Sequence, residues 1–249
     1  MDKLTITGKW FYAAAFIIFG IQHFMYAQFV ATLVPAWIPL KLFWAYFVGV
    51  AFILASISII INKYALFSSV LLGIILAMFI VLIHIPNLVS HPQEPQRWTR
   101  ALQDVVIMGT ALMVTGELKL QTAGKYLFAV PIIILALQHF THASFVTAKV
   151  PAWFPAVEVW DYIVGVVMAI AAIGIITNRY MGAPALILAL LLLTFALLYH
   201  VPLLLADAHN GQQWTGAMLD IAIVGGAFIA AALPAVYYKP SQSSNLITK

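Results

Sequence analysis

The amino-acid sequence repeats itself at a constant offset of 116 residues, and no gap is needed to hold the register. Gln22-His23-Phe24 returns as Gln138-His139-Phe140, and Val34-Pro35-Ala36-Trp37 as Val150-Pro151-Ala152-Trp153. Trp44, Tyr46 and Val48-Gly49-Val50 return as Trp160, Tyr162 and Val164-Gly165-Val166. His84 and Pro86 return as His200 and Pro202, Trp98-Thr99 as Trp214-Thr215, and Asp104 as Asp220. So regular a register marks a fused duplication, in which each copy is one structural unit. The expected units are residues 1–120 and 121–239, followed by a polar tail, 240–249, that reads as disordered.

Each unit is built from long apolar runs. In the first they are Trp10–Leu33, Trp44–Ile61, Ala65–Val89 and Ala101–Leu118, separated by Pro-, Asn- or Lys-containing breaks. Runs of about 18 apolar residues or more read as membrane spans. Composition agrees, because only 8% of the residues are charged, against about 25% in a soluble domain. The expected fold is therefore an all-α, polytopic membrane protein of eight spans, arranged as two four-helix bundles side by side. An even span count per copy makes the repeats parallel rather than inverted.

Basic residues set the orientation. The side holding both termini carries Lys3, Lys9, Lys63, Lys119, Lys125, Arg179, Lys239 and Lys249; the other carries Lys41, Arg97, Arg100 and Lys149. Eight against four favours both termini in the cytoplasm. The basic residues form no cluster, which excludes a nucleic-acid surface. The absence of cysteine excludes disulfides, thiolate metal sites, Fe–S clusters and cysteine nucleophiles. The short polar segment Met1–Lys9 leads into a span that is copied later, so no cleaved signal peptide is expected.

Ionisable groups inside spans are costly and mark functional sites by default. His23 lies late in the first run, His84 late in the third, and Asp104 early in the fourth. With alternating helix direction, all three fall in the outer half of the bilayer, and Trp37 and Trp98 flank the same end. The second copy supplies His139, His200, Asp220 and Trp214, and adds His142 one turn from His139. Gln22 and Gln138 precede the first histidine of each set as accessory candidates.

Three chemistries suit such a set. His23 with His84, and His139 with His200, could give both axial ligands of a haem iron. Two imidazoles and a carboxylate could bind a divalent transition metal. A His and an Asp could hydrogen-bond the carbonyl oxygens of a quinone and exchange its protons, with Trp98 or Trp214 stacked on the ring. Against these stands a structural role, in which the histidines bond each other or Asp104 and lock the bundle. No spacing here has the specificity of a zinc or P-loop motif.

The run Gly20-Ile21-Gln22-His23-Phe24, then Phe29, then Val34-Pro35-Ala36-Trp37-Ile38-Pro39, then Tyr46-Phe47-Val48-Gly49-Val50 resembles the DoxX and DoxX-like family of small four-span bacterial membrane proteins. The resemblance covers most of both copies, Lys9–Leu118 and Lys125–Leu233, so the chain looks like a tandem DoxX protein. It departs from many members in lacking a basic residue in the second span and in carrying His84-Ile85-Pro86 in the third. The family name derives from a membrane subunit of a thiosulfate:quinone oxidoreductase. The resemblance therefore implies a bacterial inner-membrane location, a link to membrane quinone, and a soluble periplasmic or cytoplasmic redox enzyme as partner. It carries over directly to His23 and His139 only.

The expected function is a redox-associated membrane protein with a quinone- or haem-type pocket in the outer half of each copy. The alternatives are a transporter or binding protein for a small apolar molecule, and a membrane anchor for a soluble enzyme. The topology is directly testable. A reporter fused at Lys249 should be active only if it works in the cytoplasm, and periplasmic activity there would overturn the orientation.

Overall fold

In a hydrocarbon solvent the backbone has no water to bond, so apolar chain must satisfy its own amides as helix. The structure, a computed structural model, describes residues 2–148, 150, 154–177 and 182–233. The tail 240–249, the loop residues Pro151, Ala152 and Trp153, and several of the cations used for orientation lie outside the described residues. Among the described residues every regular element is helical.

The order is α1 (Lys3–Met25), α2 (Ala27–Leu33), α3 (Lys41–Ile60), α4 (Ala65–Phe79), α5 (Ile85–Ser90) and α6 (Pro95–Val114). It continues with α7 (Leu118–Thr141), α8 (Ala143–Thr147), α9 (Val157–Ile176), α10 (Gly182–Phe195), α11 (Val201–Ala206) and α12 (Gly211–Ala232). A five-residue π turn joins α4 to α5 (Ile80–His84) and another joins α10 to α11 (Ala196–His200). Seven of these helices are long and apolar enough to cross a membrane, with α4–α5 and α10–α11 each counted as one. Helix α6 matches them in length. Its first half, however, carries Gln96, Arg97, Arg100, Gln103 and Asp104, and its apolarity falls short.

Local features recur between the halves. Leu40 (φ 55°) and Ala156 (φ 50°) both take the left-handed conformation immediately before α3 and α9. The expected first run to Leu33 is interrupted at Tyr26, and α7 is interrupted likewise at His142. Both π turns lie just ahead of a proline, Pro86 or Pro202. A proline lacks the amide hydrogen and its ring crowds the carbonyl four residues back, so the wider turn relieves a clash that a continuous α-helix would suffer.

The halves interlock, unlike the separate bundles that the apolar runs alone suggest. Helix α1 packs on α3 and on α12, α7 packs on α9 and on α6, and α6 touches α12. The first helix of each half thus lies against the last helix of the other. Glycine permits this approach. A Cβ on Gly8 would sit 2.5 Å from the Gly225 carbonyl oxygen, and one on Gly124 would sit 2.5 Å from that of Gly109. Gly8 and Gly124 are 116 residues apart, as are Gly109 and Gly225, so one contact is made twice. Tyr12, fully buried, ties α1 to α6 by donating to the Ile107 carbonyl at 2.8 Å. Large apolar side chains such as Trp10, Phe67 and Leu190 point outward, more than half exposed, as lipid-facing residues do.

A side chain at these glycines should separate the halves. Gly225→Val should lower stability by about 1–3 kcal/mol, the usual range for overpacking, in detergent unfolding. Gly73→Ala should be close to neutral, because its nearest neighbour would be Leu112 Cδ2 at 3.5 Å. Equal stability of Gly225→Val and the parent chain would mean that the backbones do not approach so closely.

Candidate functional site

The helical register brings His23, His84 and Asp104 to one cavity of about 610 Å³ in the first half. Its wall is predominantly apolar, with Phe16, Phe19, Phe52, Leu76, Phe79 and Ile107 among the lining residues. The polar exceptions include the three predicted residues, Gln22 and Arg100. Part of the wall comes from the other half, where α12 contributes Gly211, Thr215 and Leu219. The site therefore lies between the halves rather than inside one bundle.

Each polar group has a defined partner. His84 ends its π turn and donates Nε2–H to Asp104 Oδ2 at 2.8 Å. The pair has side-chain exposures of 19% and 15%. His23 bonds through Nδ1 to the Phe19 carbonyl at 2.7 Å. A carbonyl only accepts, so Nδ1 carries the proton and Nε2 of the neutral ring is left with a lone pair. The imidazole is also held edge-on to Phe52, with ring centres 5.3 Å apart, and its Cβ lies against Gly49. Arg100 stands one helical turn before Asp104, close enough to Asp104 and Asp220 to interact electrostatically.

The corresponding residues of the second half pair differently. His200 bonds Asp220 at 3.0 Å, with side-chain exposures of 8% and 11%. His139 donates Nδ1–H to Asp161 Oδ1 at 2.6 Å instead of to a carbonyl. Asp161 Oδ2 and His200 Nδ1 are buried without a hydrogen-bond partner among the described residues. His142 is exposed at the end of α7 and bonds its neighbour Thr141 at 2.8 Å.

The glutamines serve the junction. Gln22 Nε2 donates to the Gly211 carbonyl at 2.9 Å, and Tyr26 donates to the His209 carbonyl at 2.8 Å. In the symmetry-related place Thr99 donates to Gln138 Oε1 at 2.8 Å. Trp98 and Trp214 do not line the cavity. Their indole N–H groups bond the Pro92 and Ala208 carbonyls of the adjoining loops, both at 2.9 Å. Trp44 takes the place at the cavity that the stacking argument gave to Trp98. In the first turn of α6, Arg97 bonds Glu94 at 2.6 Å and Asn87 at 2.8 Å. The hydrogen bond from Arg97 holds the Glu94 carboxyl below its usual range.

Among the described residues no three His, Asp or Glu side chains converge as metal ligands. A bis-histidine haem needs a free ring nitrogen on both partners. His23 and His139 bond through Nδ1 and keep Nε2, while His84 and His200 bond through Nε2 and keep Nδ1. Each histidine of the pairs His23–His84 and His139–His200 thus retains one ring nitrogen outside these bonds, with its other N–H held by a carboxylate or carbonyl as in many metal-ligating histidines. A ligand that accepts and donates hydrogen bonds also suits the cavity, which offers a lone pair at His23, a His–carboxylate pair and a guanidinium. Arg100 is the site residue that sequence reading missed. It was counted as a topology signal, although its i,i+4 spacing to Asp104 places both on one helix face.

Comparison with protein-family models, with curated proteins and with solved structures finds no match.

The His84–Asp104 pair has an energetic signature. Asp104→Leu should cost about 1–3 kcal/mol by stranding His84 Nε2. His84→Leu with Asp104→Leu should cost less than the two single losses combined. Strictly additive losses in an unfolding double-mutant cycle would show that the pair does not interact.

Proposed function

We propose that the chain is a bacterial inner-membrane protein of eight spans in two parallel four-helix repeats, with α6 as the eighth span and both termini cytoplasmic. Its first-half cavity binds a quinone-type molecule, an apolar ring with oxygen substituents. The observation that carries this reading is the His84–Asp104 pair bordering an otherwise apolar cavity beside the lone pair of His23. α6 reads as a span despite its polar residues because Asp104 and Arg100 face that cavity rather than lipid, and a charge inside a membrane is tolerated in such a place. The recurrence of helix limits, left-handed residues and π turns at one offset supports the paired repeats.

In this reading the apolar walls take the ring and tail. A quinol hydroxyl donates to His23 Nε2, and a quinone oxygen accepts from the protein's N–H groups. Asp104 orients His84 and balances its charge when the imidazole takes up a proton. Reduction of a quinone needs two electrons and two protons. The electrons come from a soluble redox enzyme docked at the membrane, and the histidines provide the proton exchange. The resemblance to DoxX proteins leans the same way, by analogy alone.

A second reading, transport of a small apolar molecule, draws on the fact that both halves line the cavity. Substrate flux in liposomes without any redox partner would favour it.

A short-chain ubiquinone or menaquinone analogue, titrated into purified protein, should quench tryptophan fluorescence saturably, because Trp44 borders the cavity. Asp104→Asn should weaken binding by about tenfold, the loss expected of one charge-assisted hydrogen bond. Absence of saturable binding to the parent protein by either analogue would sink the quinone assignment.

A further inference from the structure

The halves share their backbone plan but differ at the cavity, and the differences run in one direction. Ala45 borders the first-half cavity, and its counterpart is Asp161. Asp161 fills the space beside its histidine with a carboxylate whose side chain is 2% exposed. Ile83 also borders the cavity, and its counterpart is the larger Tyr199. The Tyr199 ring lies 4.9 Å from His200 and 4.8 Å from Phe195. Arg100 lines the cavity, and its counterpart is Gly216. A Cβ on Gly216 would meet His200 Cε1 at 3.1 Å, so the imidazole lies over the space that the missing side chain leaves. His200 is buried as a result, while His84 remains partly open.

These substitutions all replace cavity by protein. Two add bulk or charge at positions that face the space in the first half. The third removes a side chain and lets the histidine settle into its place. Meanwhile the second half keeps the residues that close the first-half cavity. Gly211, Thr215 and Leu219 of α12 form part of its wall, and Gln22 and Tyr26 bond the loop that leads into α12.

We infer that the chain has a single working pocket, in the first half, and that the second half has become its wall. The space around His139 and His200 is filled by Asp161, Tyr199 and His200 itself, and takes no ligand. Arg100, whose counterpart is Gly216, puts a guanidinium among the lining groups of the working pocket. A ligand carrying an oxyanion or a hydrogen-bond acceptor is favoured there and has no equivalent place in the second half. The inference rests on the quinone reading only for the identity of the ligand; the substitutions at positions 45/161, 83/199 and 100/216 are independent of it.

The native chain has no cysteine, so single cysteines report local access without a background. Val48 borders the first-half cavity and Val164 is its counterpart. With a small neutral thiol reagent, Val48→Cys should react at least about tenfold faster than Val164→Cys, since access governs thiol reactivity at equal chemistry. Adding Asp161→Ala and Tyr199→Ile should raise the Val164→Cys rate, and adding Ala45→Asp and Ile83→Tyr should lower the Val48→Cys rate. Equal or reversed rates in the two single-cysteine proteins would overturn the inference, as would fillers that leave both rates unmoved. The quinone analogue is then tested as a protectant. Protection of Val48→Cys alone supports both readings, and protection of Val164→Cys overturns the single pocket. Failure to protect either, with the rate difference intact, removes the quinone assignment and leaves the single pocket standing.

Discussion

The backbone contact between glycines of opposite halves is the constraint on which the rest of the structure depends. Apolar side chains gain nothing from leaving lipid for one another, so helices in a bilayer associate through close packing and hydrogen bonds. Gly8 against Gly225, and Gly124 against Gly109, bring α1 to α12 and α7 to α6 at backbone distance. These contacts interleave the halves. Without them each unit would have only its own four helices, and the cavity would lack the wall that α12 provides. The arrangement has the form of an isologous interface, made within one chain because the two copies are joined.

A polar site in such a protein has to balance charge locally. Burying an ion pair costs more than it returns unless the remaining valences are met. The first half meets this through Arg100, which lies near Asp104 and Asp220, and through His84. At the corresponding place the second half has an additional carboxylate in Asp161 and Gly216 where the first has Arg100, and it answers with His139 and His200. The two halves thus balance their buried charges with different partners around corresponding histidines.

Much of this was legible in the residues. The offset of 116 residues predicted the recurrence of helix limits, and the proline pairs marked the helix breaks. Charge cost singled out His23, His84 and Asp104, which do share a cavity. Packing partners were not legible, because glycines on four different helices carry no record of which ones meet. Arg100 counts as an outer-side topology charge in the sequence because it directly precedes the apolar run that begins at Ala101. Trp98 was assigned to the ring site because an indole near a histidine is a natural stacking partner, yet a carbonyl six residues back claims its N–H. The break at Tyr26 was hidden because apolar composition continues through it. At the break the Tyr26 ring lies against Gly211 and its hydroxyl bonds His209, contacts that local composition does not record.

That clasp between Tyr26, Gln22 and the loop before α12 has a thermodynamic consequence. A wall lent by one half to the other makes occupancy of the cavity and the docking of the halves linked equilibria. A molecule that touches both sides favours the docked halves by the ratio of its affinities for the docked and undocked states, and a change that undocks them lowers its apparent affinity in proportion to the docked fraction that remains.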